Sequence, residues 1–255
     1  MGEDLITNSN SIFTLSTINI CLLFQINDFL QNKQAKTLFL KQLLQLLKTY
    51  KTYFLVSFLM VIVGLIYLIL FDRGAAVLFL DRYHNSFLDI FFKITTSYGE
   101  FIGFFISFVV LLSVSLKDRK KYIFTLAISA LLSLVISQSC KHVLFSSEHR
   151  PSYYYNELTS VDGVDHHKNN SFPSGHTTAA FTFVTILAFG INKKWMHVFL
   201  PFLAAFVGVS RIYLGQHFLI DVVVGAIIGI FTATISFYFF DKFWSNRSND
   251  KITSK

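Results

Sequence analysis

The sequence predicts an all-α membrane protein: a six-transmembrane-helix bundle preceded by an amphipathic N-terminal interfacial helix. Three observations predict it. Apolar residues make up 53% of the 255-residue chain and charged residues only 15%, against roughly 25% charged in an average soluble domain. The apolar residues gather into runs of the roughly 20 positions that a helix needs to cross a bilayer. Basic residues sit in short clusters between those runs, as membrane flanks do. The net charge of +7 therefore does not point to nucleic acid. No basic stripe with interleaved aromatics and no nucleic-acid motif accompanies it.

Residues 1–34 open the chain. Ser11–Leu30 is moderately apolar but interrupted by Asn19, Gln25, Asn27 and Asp28. It lacks a basic n-region and a small-residue cleavage site, which argues against a signal peptide. A mobile tail, a start-site artefact and a helix all fit it. Over Lys36–Lys51, Leu40, Leu43, Leu44 and Leu47 recur at helical spacing with Lys41 and Lys48 between them. That pattern predicts an amphipathic helix on the membrane surface. Residues 1–52 thus read as tail and interfacial helix, 53–240 as the membrane domain, and 241–255 as a cytoplasmic tail.

Six runs qualify as spans: 53–71, 97–116, 122–140, 173–191, 195–213 and 218–240. Residues 72–96 mix Asp72, Arg73, Asp81, Arg82, Asp89 and Lys93 with apolar residues, which suits an interfacial segment. Of the 22 basic residues, 15 fall on one set of ends, including Lys33–Lys51, Lys117–Lys121, Lys193–Lys194 and Lys242–Lys255. The positive-inside rule makes that face, and both termini, cytoplasmic. Tyr50, Tyr53, Tyr122, Trp195 and Trp244 fall at the same ends, where interfacial anchors belong. Cys21 and Cys140 form no metal-binding spacing, and this topology separates them, so they read as small apolar filler.

The chemistry concentrates on the opposite face. Lys141, Arg150 and Arg211 lie at span ends there. A cation at membrane depth costs about 2.5–3.5 kcal/mol and calls for a partner. Glu148 could take one of the three, and a bound anion is the economical partner for the rest. Arginine's planar fork of donors suits phosphate. Next, Ser171-Phe-Pro-Ser-Gly-His-Thr177 reads as a helix start, with Ser171 as cap and Pro173 in the first turn. The amides of Ser174, Gly175 and His176 would point out of that end toward an anion. His176 could protonate a leaving oxygen.

In Ser210-Arg211-x5-His217-x3-Asp221, His217 and Asp221 share a helix face four residues apart. A carboxylate beside an imidazole fixes its tautomer and leaves the other nitrogen free to attack phosphorus. Gly215 allows a turn through which Arg211 can close over the site. Smaller expectations attach to His166, His167, Asn169 and Asn170, which read as a solvated loop or as headgroup contacts. No third ligand at suitable spacing supports zinc. Gly225 and Gly229 form a GxxxG that suggests close helix packing.

Taken together these elements resemble the membrane-bound type 2 phosphatidic acid phosphatase superfamily, the lipid phosphate phosphatases. That family's motif reads Lys-x6-Arg-Pro, Pro-Ser-Gly-His and Ser-Arg-x5-His-x3-Asp. Pro173–His176 and Ser210–Asp221 match without departure. Lys141 and Arg150-Pro151 are separated by eight residues instead of six. The resemblance implies a six-helix bundle and a metal- and cofactor-independent reaction. It implies His217 as nucleophile, Asp221 as its orienting group and His176 as general acid. Lys141, Arg150, Ser174, Gly175 and Arg211 would hold the phosphate. Soluble vanadium haloperoxidases share the motif, but six spans argue against that activity.

The implied substrate is a lipid phosphate: a polyprenyl diphosphate, phosphatidic acid, phosphatidylglycerophosphate or lipid A. The expected setting is a bacterial inner membrane with the site facing the periplasm, in contact with membrane lipids and no nucleic acid. The competing readings are a lipid-linked phosphotransferase using the same site and a lipid or anion transporter with a phosphate-binding centre.

Overall fold

The computed structural model describes residues 33–253 except 115, 117 and 192. The reading of Ser11–Leu30, Cys21 and Lys117 falls outside those residues. The chain divides after Thr49 into two compact units. Of the first, the structure describes helix α1 (Lys33–Thr49), which carries the leucine pattern.

The second unit is all helix among the described residues. Helix α2 spans Lys51–Leu70, α3 Ala75–Asp81 and α4 Ser86–Thr96. A 3₁₀ turn, Ser97–Gly99, leads to α5 (Phe101–Ser113) and then to α6 (Arg119–Ser139), which runs into a π turn, Cys140–Leu144. After the short α7 (Pro151–Tyr154) come α8 (Gly175–Gly190), α9 (Lys194–Tyr213) and α10 (Leu219–Thr253).

Among the described residues, four helices are long and apolar enough to cross a membrane: Lys51–Leu70, Arg119–Leu144, Lys194–Tyr213 and Leu219–Lys242. A fifth crossing arises if the pair Ser86–Gly99 and Phe101–Ser113, bent by 67°, is one span. The expected second span at 97–116 falls on the 3₁₀ turn and α5, with the bend at Glu100 inside it. The segment 72–96 is two short helices. The expected tail at 241–255 continues α10 as helix to Thr253.

The expected fourth span, 173–191, is the 16-residue α8. At 1.5 Å per residue it is about 24 Å long, short of a roughly 30 Å hydrocarbon core. It sits in the middle of the bundle: twelve of its residues are buried, with α5, α6, α9 and α10 packed around it. A helix so enclosed meets protein on every side, and its composition follows. Thr178, Thr182 and Thr185 each bond the carbonyl four residues back, at 2.9, 2.8 and 2.6 Å. Their hydroxyls are thereby satisfied within the helix itself.

Close packing positions the neighbours. A Cβ on Gly225 of α10 would meet the Ser174 carbonyl at 2.7 Å, and one on Gly229 the Thr178 carbonyl at 2.4 Å. The Gly-x-x-x-Gly pair is thus a seam within the bundle. On α6, buried Thr125, Ser129, Ser133 and Ser137 recur every four residues, a small-residue stripe that lets α6 approach α8. Tyr50 and Tyr53, expected as interfacial anchors, are buried. Tyr50 donates to the Phe189 carbonyl at 3.1 Å, and the Tyr53 hydroxyl pairs with Thr185 Oγ1 at 2.6 Å. A buried phenol needs a polar partner, and α8 supplies both. Trp195 is exposed, as expected.

Candidate active site

Helix starts and ends meet on one side of α8. The small-residue stripe of α6 continues in phase to Lys141, four residues beyond Ser137, and Lys141 is buried on that face. Its ammonium lies 3.8 Å from where a Cβ on Gly175 would stand. The π turn Cys140–Leu144 widens the backbone at this point, a device common at functional sites. Together with a turn closed by Glu148 N donating to Phe145 O at 3.1 Å, it accommodates the longer spacing to Arg150. The structure thus brings Lys141 to the other cations.

Arg150 and Arg211 approach from a loop and from the end of α9. Arg150 Nη1 donates to Gln216 Oε1 at 3.1 Å, and Arg150 Nε donates to the Asn169 carbonyl at 2.9 Å. Arg211 Nη1 donates to Thr96 Oγ1 at 2.9 Å, and its Nη2 reaches Gln216 Oε1 at 3.5 Å. Gln216 is the shared acceptor that holds the two guanidinium groups side by side. Glu148, expected to neutralise one of the three cations, instead pairs with Arg73 at 2.7 Å. Among the described residues no carboxylate forms an ion pair with Lys141, Arg150 or Arg211. Burial lowers the Arg150 pKa from its ordinary value.

Gly215 adopts φ +62°, the left-handed conformation that glycine tolerates. The turn lets the amides of Gln216 and His217 bond the Arg211 carbonyl at 2.9 and 3.1 Å, which folds the expected loop of Arg211 over the site. His217 follows, with its Nδ1 3.3 Å from Asp221 Oδ2. That oxygen also accepts from Ser171 Oγ at 2.5 Å and from the Phe218 amide at 3.0 Å. Acceptance by Asp221 places the proton on Nδ1 and leaves Nε2 unprotonated. Burial, then the charges of Arg150, Arg211 and Lys141, push His217 well below its ordinary pKa.

The start of α8 departs from expectation at three residues. Ser171 does not cap it. Ser174 does, its hydroxyl accepting from the Thr177 amide at 3.4 Å, and Pro173 precedes the cap. The Ser174 amide, expected to face an anion, donates instead to the Asp221 carbonyl at 3.0 Å. This bond locks α8 to α10. The amides of Gly175 and His176 remain as first-turn donors without intrahelical acceptors.

His176 Nε2 lies 2.9 Å from Glu100 Oε1. Glu100, Gln216 and Thr96 were not read from the sequence. A carboxylate inside an expected span was a signal for Glu100, and Gln216 stands beside His217.

Lys93, Glu100, Lys141, Arg150, His176, Arg211 and His217 all line one polar cavity of about 430 Å³. His167 and Asp165 also line it, whereas Asn169 turns to His149, 2.9 Å from its Nδ1. A second cavity of about 580 Å³ adjoins it between α5, α6 and α8. Phe101, Phe104, Leu131, Leu134 and Phe183 line it, and it shares Glu100, Lys141 and His176 with the first. Among the described residues, no group of three His, Cys, Asp or Glu side chains could hold a metal ion.

Fold and site define a helical integral membrane protein with two histidines and three cations lining one polar cavity. Residues 119–245 match the PAP2 superfamily. The chain is 30% identical over 161 residues to the undecaprenyl-diphosphatase BcrC of Bacillus subtilis (strain 168), covering 62% of this chain and 78% of that protein. It is 36% identical over 90 residues to the lipid A 1-phosphatase of Porphyromonas gingivalis, covering 34% of this chain and only 20% of that longer relative. The crystal structure of Aquifex aeolicus LpxE superposes with a TM-score of 0.54 at 30% identity, over 63% of this chain and 91% of that one. The chain belongs to the PAP2 superfamily.

Proposed function

We propose that the protein is a metal-independent lipid phosphatase that works through a phosphohistidine. The observation that carries this reading is His217, tied to Asp221 through Nδ1, in a cavity shared with His176 and three cations. Nε2 of His217 attacks phosphorus while the bond from phosphorus to the lipid oxygen breaks. His176 gives its proton to that oxygen, and the dephosphorylated lipid departs. Water then attacks the phosphohistidine, His176 takes a proton from it, and inorganic phosphate leaves with His217 free. Lys141, Arg150, Arg211 and the amides of Gly175 and His176 hold the phosphoryl oxygens. Phosphoryl transfer depends chiefly on such positioning and charge stabilisation.

A lipid substrate fits the paired cavities. The polar one takes the phosphate and the adjoining apolar one takes the start of the lipid chain, with Glu100, Lys141 and His176 at the junction. The substrates in view are polyprenyl diphosphate, phosphatidic acid, phosphatidylglycerophosphate and the phosphates of lipid A.

The proposed arrangement in a bacterial inner membrane has six membrane segments, α8 being a short one enclosed by the others. Both termini are cytoplasmic, the site faces the periplasm, and α1 lies along the interface. Residues 1–52, 53–240 and 241–255 are the corresponding divisions.

Phosphate release from each of the four lipid classes by detergent-purified protein tests the reading. Release from at least one class is expected, abolished in His217→Ala and unaffected by EDTA. A transporter would retain transport in His217→Ala and release no phosphate. A phosphotransferase would move the phosphoryl group to a second lipid in place of water. Loss of activity to EDTA, restored by one metal, would exclude the metal-free route.

A further inference from the structure

Glu100 stands at an unusual place. It is the residue at which α4 with its 3₁₀ turn and α5 bend by 67°, and its backbone there is extended. The bend presses directly on the start of α8. A Cβ on Gly99 would lie 2.6 Å from His176 Cβ and 2.8 Å from its Cα and carbonyl oxygen. Only glycine permits that approach, and the approach brings the next side chain, Glu100, to 2.9 Å from His176 Nε2.

The electrostatic setting gives that contact a task. The charged and titratable groups around the cavity are Lys93 from α4, Lys141 after α6, Arg150, Asp165 and His167 from the loop, Arg211 from α9, and His217. Three buried cations oppose any further positive charge, yet a general acid at His176 must carry a proton before it can give one. Glu100 is the only carboxylate paired with His176 among the described residues. Nearby negative charge favours the protonated imidazole.

We propose that Glu100 is the positioning residue of His176, holding its ring in place and balancing its proton, as Asp221 does for the tautomer of His217. The proposal rests on the lipid phosphatase reading. The site then has two carboxylate–histidine pairs with opposite duties. Asp221 orients a buried nucleophile and fixes its tautomer. Glu100, at the junction of the two cavities, favours the protonated form of the acid where the leaving oxygen emerges.

The test compares kcat/KM for a lipid alkyl phosphate with that for a nitrophenyl ester, whose leaving group departs without a proton. Glu100→Gln should cut the alkyl value about 100-fold, within the usual range for general acid catalysis, and change the aryl value less than about threefold. The basic limb of the alkyl pH profile should move to lower pH. In a His176→Ala background the same substitution should cost nothing further, since coupled residues are non-additive. Equal losses on both substrates, or an undiminished loss without His176, would overturn the proposal. If Glu100→Gln is not monodisperse in detergent, Glu100→Asp serves. A smaller loss confined to the alkyl substrate supports the proposal, and an equal loss on both overturns it. Wild-type protein that releases phosphate from neither substrate would instead sink the phosphatase reading, and this proposal with it.

Discussion

The hydroxyl of Ser171 donates to Asp221 Oδ2 at 2.5 Å, the same oxygen that faces His217 Nδ1 at 3.3 Å. The other oxygen, Oδ1, is buried without a hydrogen-bond partner among the described residues. One carboxylate oxygen therefore gathers the loop before α8, the Phe218 amide and His217. Ser171→Ala should lower stability by about 1.5–3 kcal/mol, the range for a hydrogen bond to a charged group, while leaving turnover measurable. Asp221→Asn keeps the shape but removes the charge and should cost kcat on the order of 10³-fold or more. Thermal unfolding in detergent and phosphate release check the two; equal effects on both readouts would contradict the division.

The depressed pKa of His217 predicts the acid side of the pH profile. Its causes are burial, then Arg150, Arg211 and Lys141. In the proposed mechanism the neutral imidazole attacks, so activity should persist as pH falls below the ordinary value of about 6.5. The acid limb of kcat/KM should lie under that pH. Removing one neighbouring charge, as in Arg150→Gln, should move it upward. Stability follows the same sign. Below about pH 6.5 the unfolded chain binds a proton that the folded chain refuses. Stability is therefore lost as pH falls from there toward the folded value, and no loss from this group arises above it. An acid limb above 6.5 in the wild type would oppose the assignment.

The i,i+4 pairing of His217 with Asp221 was legible because both belong to one local turn and helix start. Arg211 and Gly215 were legible for the same reason, as was the close packing at Gly225 and Gly229. Glu100 was not, because its partner His176 is 76 residues away and only the bend at Gly99 brings them together. Ser171 was misread as a cap because local spacing favours capping, whereas its hydroxyl is claimed by a carboxylate 50 residues on. The fourth span was read from hydropathy, which cannot tell a helix facing lipid from one enclosed by other helices. Tyr53 was misplaced for that reason too, since an aromatic near a basic cluster can face inward as readily as outward.

The seam between α8 and α10 predicts steric sensitivity. A Cβ on Gly229 would meet the Thr178 carbonyl at 2.4 Å and Phe181 Cβ at 2.9 Å, and backbone cannot give way as a side-chain tip can. Gly229→Val should destabilise by about 1–3 kcal/mol or more, as overpacking does. Gly225→Ala pushes on the Ser174 carbonyl, next to the amide that ties α8 to Asp221, so it should lower activity more than Gly229→Ala at similar stability. Thermal midpoints alongside kcat would show whether the two positions separate in this way.

Gln216 carries the geometry of the cations. Its Oε1 accepts from Arg150 Nη1 at 3.1 Å and its Nε2 donates to the Asp165 carbonyl at 2.9 Å. One side chain thereby fixes both an arginine and the loop over the cavity. Gln216→Leu keeps bulk and removes both bonds. It should raise KM and lower kcat/KM about tenfold, equivalent to one ordinary hydrogen bond of about 1.4 kcal/mol. Gln216→Glu should retain the arginine contacts and lose the one to Asp165. A rise in KM in Gln216→Leu that Gln216→Glu fails to relieve would show that the loop contact, not the arginine contact, matters.

The proposed orientation puts the loop after α7 outside and the start of α9 inside, and the two faces differ in charge. Lys168 is exposed in that loop, and Lys194 opens α9. With Cys21 and Cys140 replaced by serine, a cysteine at Lys168 should react with a membrane-impermeant maleimide in intact cells, and one at Lys194 only after permeabilisation. The basic residues near Lys194 belong to the larger cluster, and moving such a cluster across the membrane is what the positive-inside rule disfavours. The reversed labelling pattern would place His217 on the cytoplasmic side and with it the pool of lipid phosphate the site can reach.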